Sequence, residues 1–187
     1  MGLINIKNAS LIQTLGFVRE SFGEEAAAQL VGAMPKAVQR KIELERLDAW
    51  VSFDVFRELL QQIVDRHYGG DITKIAHSGH HAALLEFPRR FGALSLPAGQ
   101  SLIDQLNSFT TLWRLILDRG RIDFMSIDEQ IELRVYDFPA ATEIYGHRLC
   151  GWVRGYLECL TEKAWRLELH HCDPEADPSL VFRITPA

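Results

Sequence analysis

The strongest constraint on this chain is a change of hydrophobic period near its C-terminal end. Between residues 145 and 160, Tyr145, Leu149, Trp152, Val153, Tyr156, Leu157 and Leu160 recur at spacings of three and four, the stripe of an amphipathic helix. Residues 165–172 then alternate, with Trp165, Leu167 and Leu169 on one side, a polar loop with Pro174 and Pro178 follows, and 179–184 alternate again. A helix must therefore lie beside a terminal hairpin, because neither period is compatible with the other element. Trp152 and Tyr156 are expected to bury over Leu167, Leu169, Val181 or Phe182, according to register. Gly151 and Gly155 leave room for a second backbone on a neighbouring face.

The upstream pattern is helical, then again alternating. Leu3–Ile6 reads as a short strand, with Asn8 or Ser10 as a cap for the helix that follows. Leu11, Ile12, Leu15, Val18 and Phe22 mark that helix, and Gly23 ends it. A second helix runs from Glu24 to Met34, and 36–46 is a short helix or loop. Residues 51–68 form a helix capped by Ser52, with Phe53, Phe56, Leu59, Leu60, Ile63 and Val64 on one face. Asp71 opens another helix through about Glu86. Residues 101–118 read as one helix with an apolar stripe wide enough to need cover on two sides. Residues 121–127 and 130–136 form a hairpin around Asp128-Glu129. The expected fold is α+β: a single domain over 1–187, with N-terminal helices packed on a roughly four-stranded antiparallel sheet made of two hairpins separated by a helix.

A net charge of −5 gives no support to a nucleic-acid partner. No apolar run reaches the roughly 18–20 residues of a membrane span, and the start lacks a signal-peptide pattern. A cytoplasmic location is expected, with three reduced cysteines. Cys150 and Cys159 are too far apart along one helix for a disulfide.

The helix and hairpin with Cys172 at the end of its first strand resemble the close of a ligand-binding superfamily. It includes vinyl-reductase-type domains, heme-NO-binding domains and TRAPP tethering subunits. Residues 15–23, Ala33-Met34-Pro35, Leu47-Asp-Ala-Trp50, Gly70-Asp71, Gly79-His-His-Ala-Ala83, Leu112-Trp113 and Asp118-Arg-Gly120 are similar, in order, to a paralogous family abundant in myxobacteria. Cys172, Asp177 and Phe182 match the vinyl-reductase-type ending, but Leu180 stands where its second Cys would be. Heme-NO-binding domains carry a Tyr-x-Ser-x-Arg signature, which Tyr68, Tyr136, Tyr145 and Tyr156 all fail to begin. No cofactor is therefore expected, heme included. The resemblance also implies a homodimer and an apolar cavity between helices and sheet.

Candidate site residues fall into two groups. Phe87, Phe91, Phe109, Trp113, Tyr136 and Tyr145 flank the punctuated connection and the hairpin-to-helix junction, where they either line a ligand pocket or fill a core. His77 and His81 share a helical face at metal-ligand spacing, and Cys172 is a conceivable third ligand. His170 and His171 are expected on opposite strand faces. No nucleophile elbow, phosphate loop or dinucleotide fingerprint occurs. The reading is a non-enzymatic regulatory or sensory module that binds a small hydrophobic ligand, a signalling or regulatory protein, or both. The alternatives are a dimeric scaffold with a filled core and a vinyl-reductase-like enzyme.

Overall fold

Ser52 stops a short extended run and starts the clearest helix, its hydroxyl accepting a hydrogen bond from the Asp54 amide at 3.2 Å. The computed structural model describes residues 3–90, 101–107, 109–127 and 130–187, except for the side chains of 87–90 and 109. Strand β1 (Asn5–Lys7) leads into α1 (Asn8–Phe22), α2 (Glu24–Gly32) and α3 (Lys36–Glu43). Strand β2 (Trp50–Ser52) pairs antiparallel with β1 and runs into α4 (Phe53–His67). A 3-10 turn (Ile72–Ile75) precedes α5 (Ala76–Arg90), and α6 (Leu102–Asn107) and α7 (Phe109–Ile116) follow. The chain closes with β3 (Arg121–Ile127), β4 (Gln130–Tyr136), α8 (Glu143–Thr161), β5 (Trp165–Cys172) and β6 (Leu180–Pro186).

The expected α+β class holds, with a four-stranded antiparallel sheet in the order β3-β4-β6-β5. Helix α8 carries the chain from β4 to the far edge, and β6 then returns to pair with β4. Leu133 and Val135 of β4 and Leu180, Phe182 and Ile184 of β6 are buried on one face. That settles the register: Leu180 and Phe182 point into the core, and Val181 is only half-buried.

Three local expectations are corrected. Neither Asn8 nor Ser10 caps α1, because Lys7 holds that position without a side-chain bond; Asn8 instead donates across to the Lys41 and Arg46 carbonyls. Within 101–118, helix covers Leu102–Asn107 and Phe109–Ile116, and residue 108 between them lies outside the described residues. β2 is an additional strand, placed by its partner β1 across the sequence. His170 and His171 do not lie on opposite faces: a register shift between Leu169 and His171 leaves both exposed.

Helices α5 and α8 form the closest helix pair. A Cβ on Gly151 would collide with the Ala76 carbonyl, and one on Gly79 with the Arg148 carbonyl. A Cβ on Gly155 would stand 2.9 Å from that of Ala83. The backbone for which Gly151 and Gly155 leave room is thus α5. Gly151→Ala should destabilise the protein by about 1–3 kcal/mol or more, since backbone must yield. Gly16→Ala, in α1 with nothing within 4 Å, should stabilise it by roughly 0.5–1 kcal/mol. Urea melts of the two variants moving in the same direction would refute this account of the α5–α8 contact.

Candidate functional site

Thr142 caps α8, and the first turns of that helix carry Tyr145, Arg148 and Leu149 inward. Together with Trp152 they line a small cavity completed by Ile6, Ser10 and Gln13 from β1 and α1, Glu86 from α5, and Trp113, Ile116 and Leu117 from α7 and its end. About 20 Å³ of it is open to the centres of water-sized molecules. Its inner wall is aromatic: Tyr145 stands 5.0 Å from Phe53 and 5.5 Å from Phe138, and Trp113 stands 5.6 Å from Phe138, ring centre to ring centre. Such rings pack tilted or edge to face and hold their shape.

Polar groups stand in this apolar setting. The Glu86 carboxylate accepts from Gln13 Nε2 at 2.7 Å and from Trp152 Nε1 at 3.2 Å. Arg148 is 6% exposed and donates from Nη2 to Thr14 Oγ1 at 3.4 Å, while its Nε is buried without a hydrogen-bond partner among the described residues. Burial pulls the Arg148 pKa down, against the opposing influence of Tyr145 and Glu86. Burial likewise pushes the Tyr145 phenol up. The Cys150 thiol is pushed up to about 12, chiefly by burial, and Cys172 is raised by burial and then by Glu143 and Asp173, so neither environment favours a thiolate.

Of the six aromatic candidates, Trp113 and Tyr145 line the cavity. Tyr136 does not; its ring lies 3.9 Å from the Arg121 guanidinium carbon, at the end of β4. Phe91 and the side chains of Phe87 and Phe109 lie outside the described residues. His81 Nε2 meets Glu20 at 2.9 Å and the His77 ring stands 6.3 Å from Tyr68. Among the described residues no group of three or more His, Cys, Asp or Glu stands together, so His77, His81 and Cys172 do not form one cluster. Glu86, Arg148 and Gln13 escape sequence reading, because a charged residue within a helix ordinarily signals a solvated face. Trp152 is also corrected: its indole turns to α5 rather than to the sheet, and it is Gly146 that lies against Leu169 of β5.

No family model and no curated protein matches the sequence. Solved structures do match, and H-NOX proteins are among them. One, from work on heme distortion in the H-NOX family, superimposes with a TM-score of 0.68 at 14% identity, covering 97% of each chain. The Fe(II) unliganded H-NOX protein from K. algicida gives 0.67 at 13% identity, with 97% of each chain covered. An H-NOX protein from S. oneidensis in the Fe(II)NO ligation state gives 0.65 at 14%, covering 97% of this chain and 99% of that one. The chain therefore has the fold seen in these H-NOX proteins. The vinyl-reductase, TRAPP and myxobacterial likenesses gain no support.

The expectation of no cofactor is overturned by the same finding. It rested on the missing Tyr-x-Ser-x-Arg, but the fold is that of proteins named for heme, and at identities near 14% a short motif can be lost while the fold persists. Of the side chains that bind heme iron, His, Cys, Met and Tyr, the cavity lining holds, among the described residues, the Tyr145 phenol. The space between these lining residues, as they stand, is smaller than a porphyrin. Trp152 tests the cavity wall as a unit. Trp152→Ala should cost about 3–5 kcal/mol; Trp152→Phe, which loses the donor to Glu86, should cost about 1.5–3 kcal/mol. Equal and negligible shifts in denaturant melts would show that neither the ring nor its hydrogen bond matters.

Proposed function

We propose that this chain is a non-catalytic sensory module that takes a small ligand into the core between α1, α5, α7 and α8. The observation that carries the reading is the cavity itself, where Arg148, Glu86 and Tyr145 are buried beside open space inside an aromatic wall. A core serving stability alone gains nothing from an incompletely bonded cation there. Support also comes from the fold, which is shared with an H-NOX protein from S. oneidensis in the Fe(II)NO ligation state. Among the described residues no helix is long and apolar enough to cross a membrane.

Heme heads the ligands to offer, because proteins of this fold are named for it. Native mass spectrometry of protein from its own host, together with hemin titration followed by absorbance and Trp fluorescence, tests the reading. A bound small molecule, or a saturable Soret band with quenching of Trp113 and Trp152, is the expected result. Protein with no bound mass and no saturable response to hemin would overturn it.

A second observation favours association with a partner copy. Leu47, Leu85 and Leu115 are 50%, 41% and 53% exposed and border one groove with Ala9 and Ile12. An apolar groove of this kind is a usual mark of an interaction surface. Leu85→Glu/Leu115→Glu should shift light scattering from dimer to monomer; a wild-type monomer across micromolar concentrations would end this reading.

A further inference from the structure

We propose that Arg148 is the anchor of an anion subsite in this cavity, and that the ligand presents to it a planar oxyanion such as a carboxylate. The inference rests on the ligand-binding reading above and names the chemistry of what is bound. Arg148 projects from α8 and is 6% exposed, yet among the described residues its Nε has no hydrogen-bond partner, and the bond from its Nη2 to Thr14 Oγ1 is long at 3.4 Å. Its guanidinium carbon lies 4.8 Å from the centre of the Phe56 ring, which holds the planar group in place. Among the described residues no ion pair joins it to a carboxylate. Glu86 favours its charged form from a distance, but that carboxylate is engaged by Gln13 and Trp152.

A buried cation with spare donors is costly unless something completes it. A water molecule would satisfy Nε and leave the charge; a planar oxyanion satisfies both, because its two oxygens match the guanidinium fork. The surroundings suit such a head group. Ser10, Gln13 and Tyr145 bring polar atoms to the lining, and Ile6 and Leu149 bring apolar ones. The open space, about 20 Å³ for the centres of water-sized molecules, admits a few atoms and not a bulky polar group.

The head group belongs either to a free small anion or to the end of a larger apolar acid, and the experiment separates the two. The full chain is titrated with formate, nitrate and octanoate at fixed ionic strength, with chloride as control, reading Trp fluorescence and melting temperature. The expected result is a saturable response of the wild type to at least one oxyanion and none to chloride. Formate or nitrate alone identifies a free anion; a stronger response to octanoate identifies an apolar acid. Arg148→Met should lose the response while remaining folded, since an apolar chain of similar length relieves the buried charge. Arg148→Lys, which keeps the charge without the fork, should weaken binding by at least about tenfold, and it serves as the test if the Met variant fails to fold. No saturable response to any oxyanion, or an undiminished response in the variants, would overturn the proposal. Bound neutral mass in the native protein together with that negative result would leave the sensory reading standing and remove only the anion.

Discussion

Helices α5 and α8 approach each other where Gly79, Gly151 and Gly155 present hydrogen in place of a side chain, and the rest of the interior is arranged around that crossing. Each helical glycine costs roughly 0.5–1 kcal/mol relative to alanine. The close contact offsets this by bringing the two backbones into van der Waals range along several turns. It also fixes the rotation of α8. With the glycines facing α5, Trp152 swings toward Glu86, Arg148 falls opposite Thr14, and Gly146 is left for Leu169 of β5. The cavity is a consequence of that rotation.

Two kinds of packing meet at the cavity. On its inner side, Phe53, Phe56, Phe138 and Tyr145 interlock through tilted and edge-to-face contacts and are almost wholly buried. On its outer side, α6 and α7 are short, and their main backbone neighbours are each other, β1 and β3 rather than α8. Trp113 ties α7 down at two points, by its ring against Phe138 and by its indole N–H on the Arg119 carbonyl at 2.9 Å. A rigid wall facing a lightly attached layer is an arrangement in which occupancy of the cavity can move one side and not the other.

The fold has outlasted the sequence that accompanies it in other proteins. Matches near 14% identity cover almost the whole chain, yet no Tyr here begins Tyr-x-Ser-x-Arg. Architecture and ligand chemistry are separable, because the first depends on patterned apolar positions and the second on a few side chains. In this chain the buried polar residues that line the cavity include Ser10, Glu86 and Arg148.

Local periodicity was enough to define most elements from the sequence. The β3–β4 hairpin, the Ser52 cap of α4 and the strands around Cys172 are legible because each depends on neighbours within a few residues. The same holds for the glycines of α8, although not for the helix that fills the space beside them. Only the tertiary structure decided that β6 lies between β4 and β5 and that Trp152 faces α5. It alone placed a cation and a carboxylate beside one cavity. Arg148 and Glu86 each look like surface charge in their own helix, and a contact between helices distant in sequence leaves no period for the sequence to display.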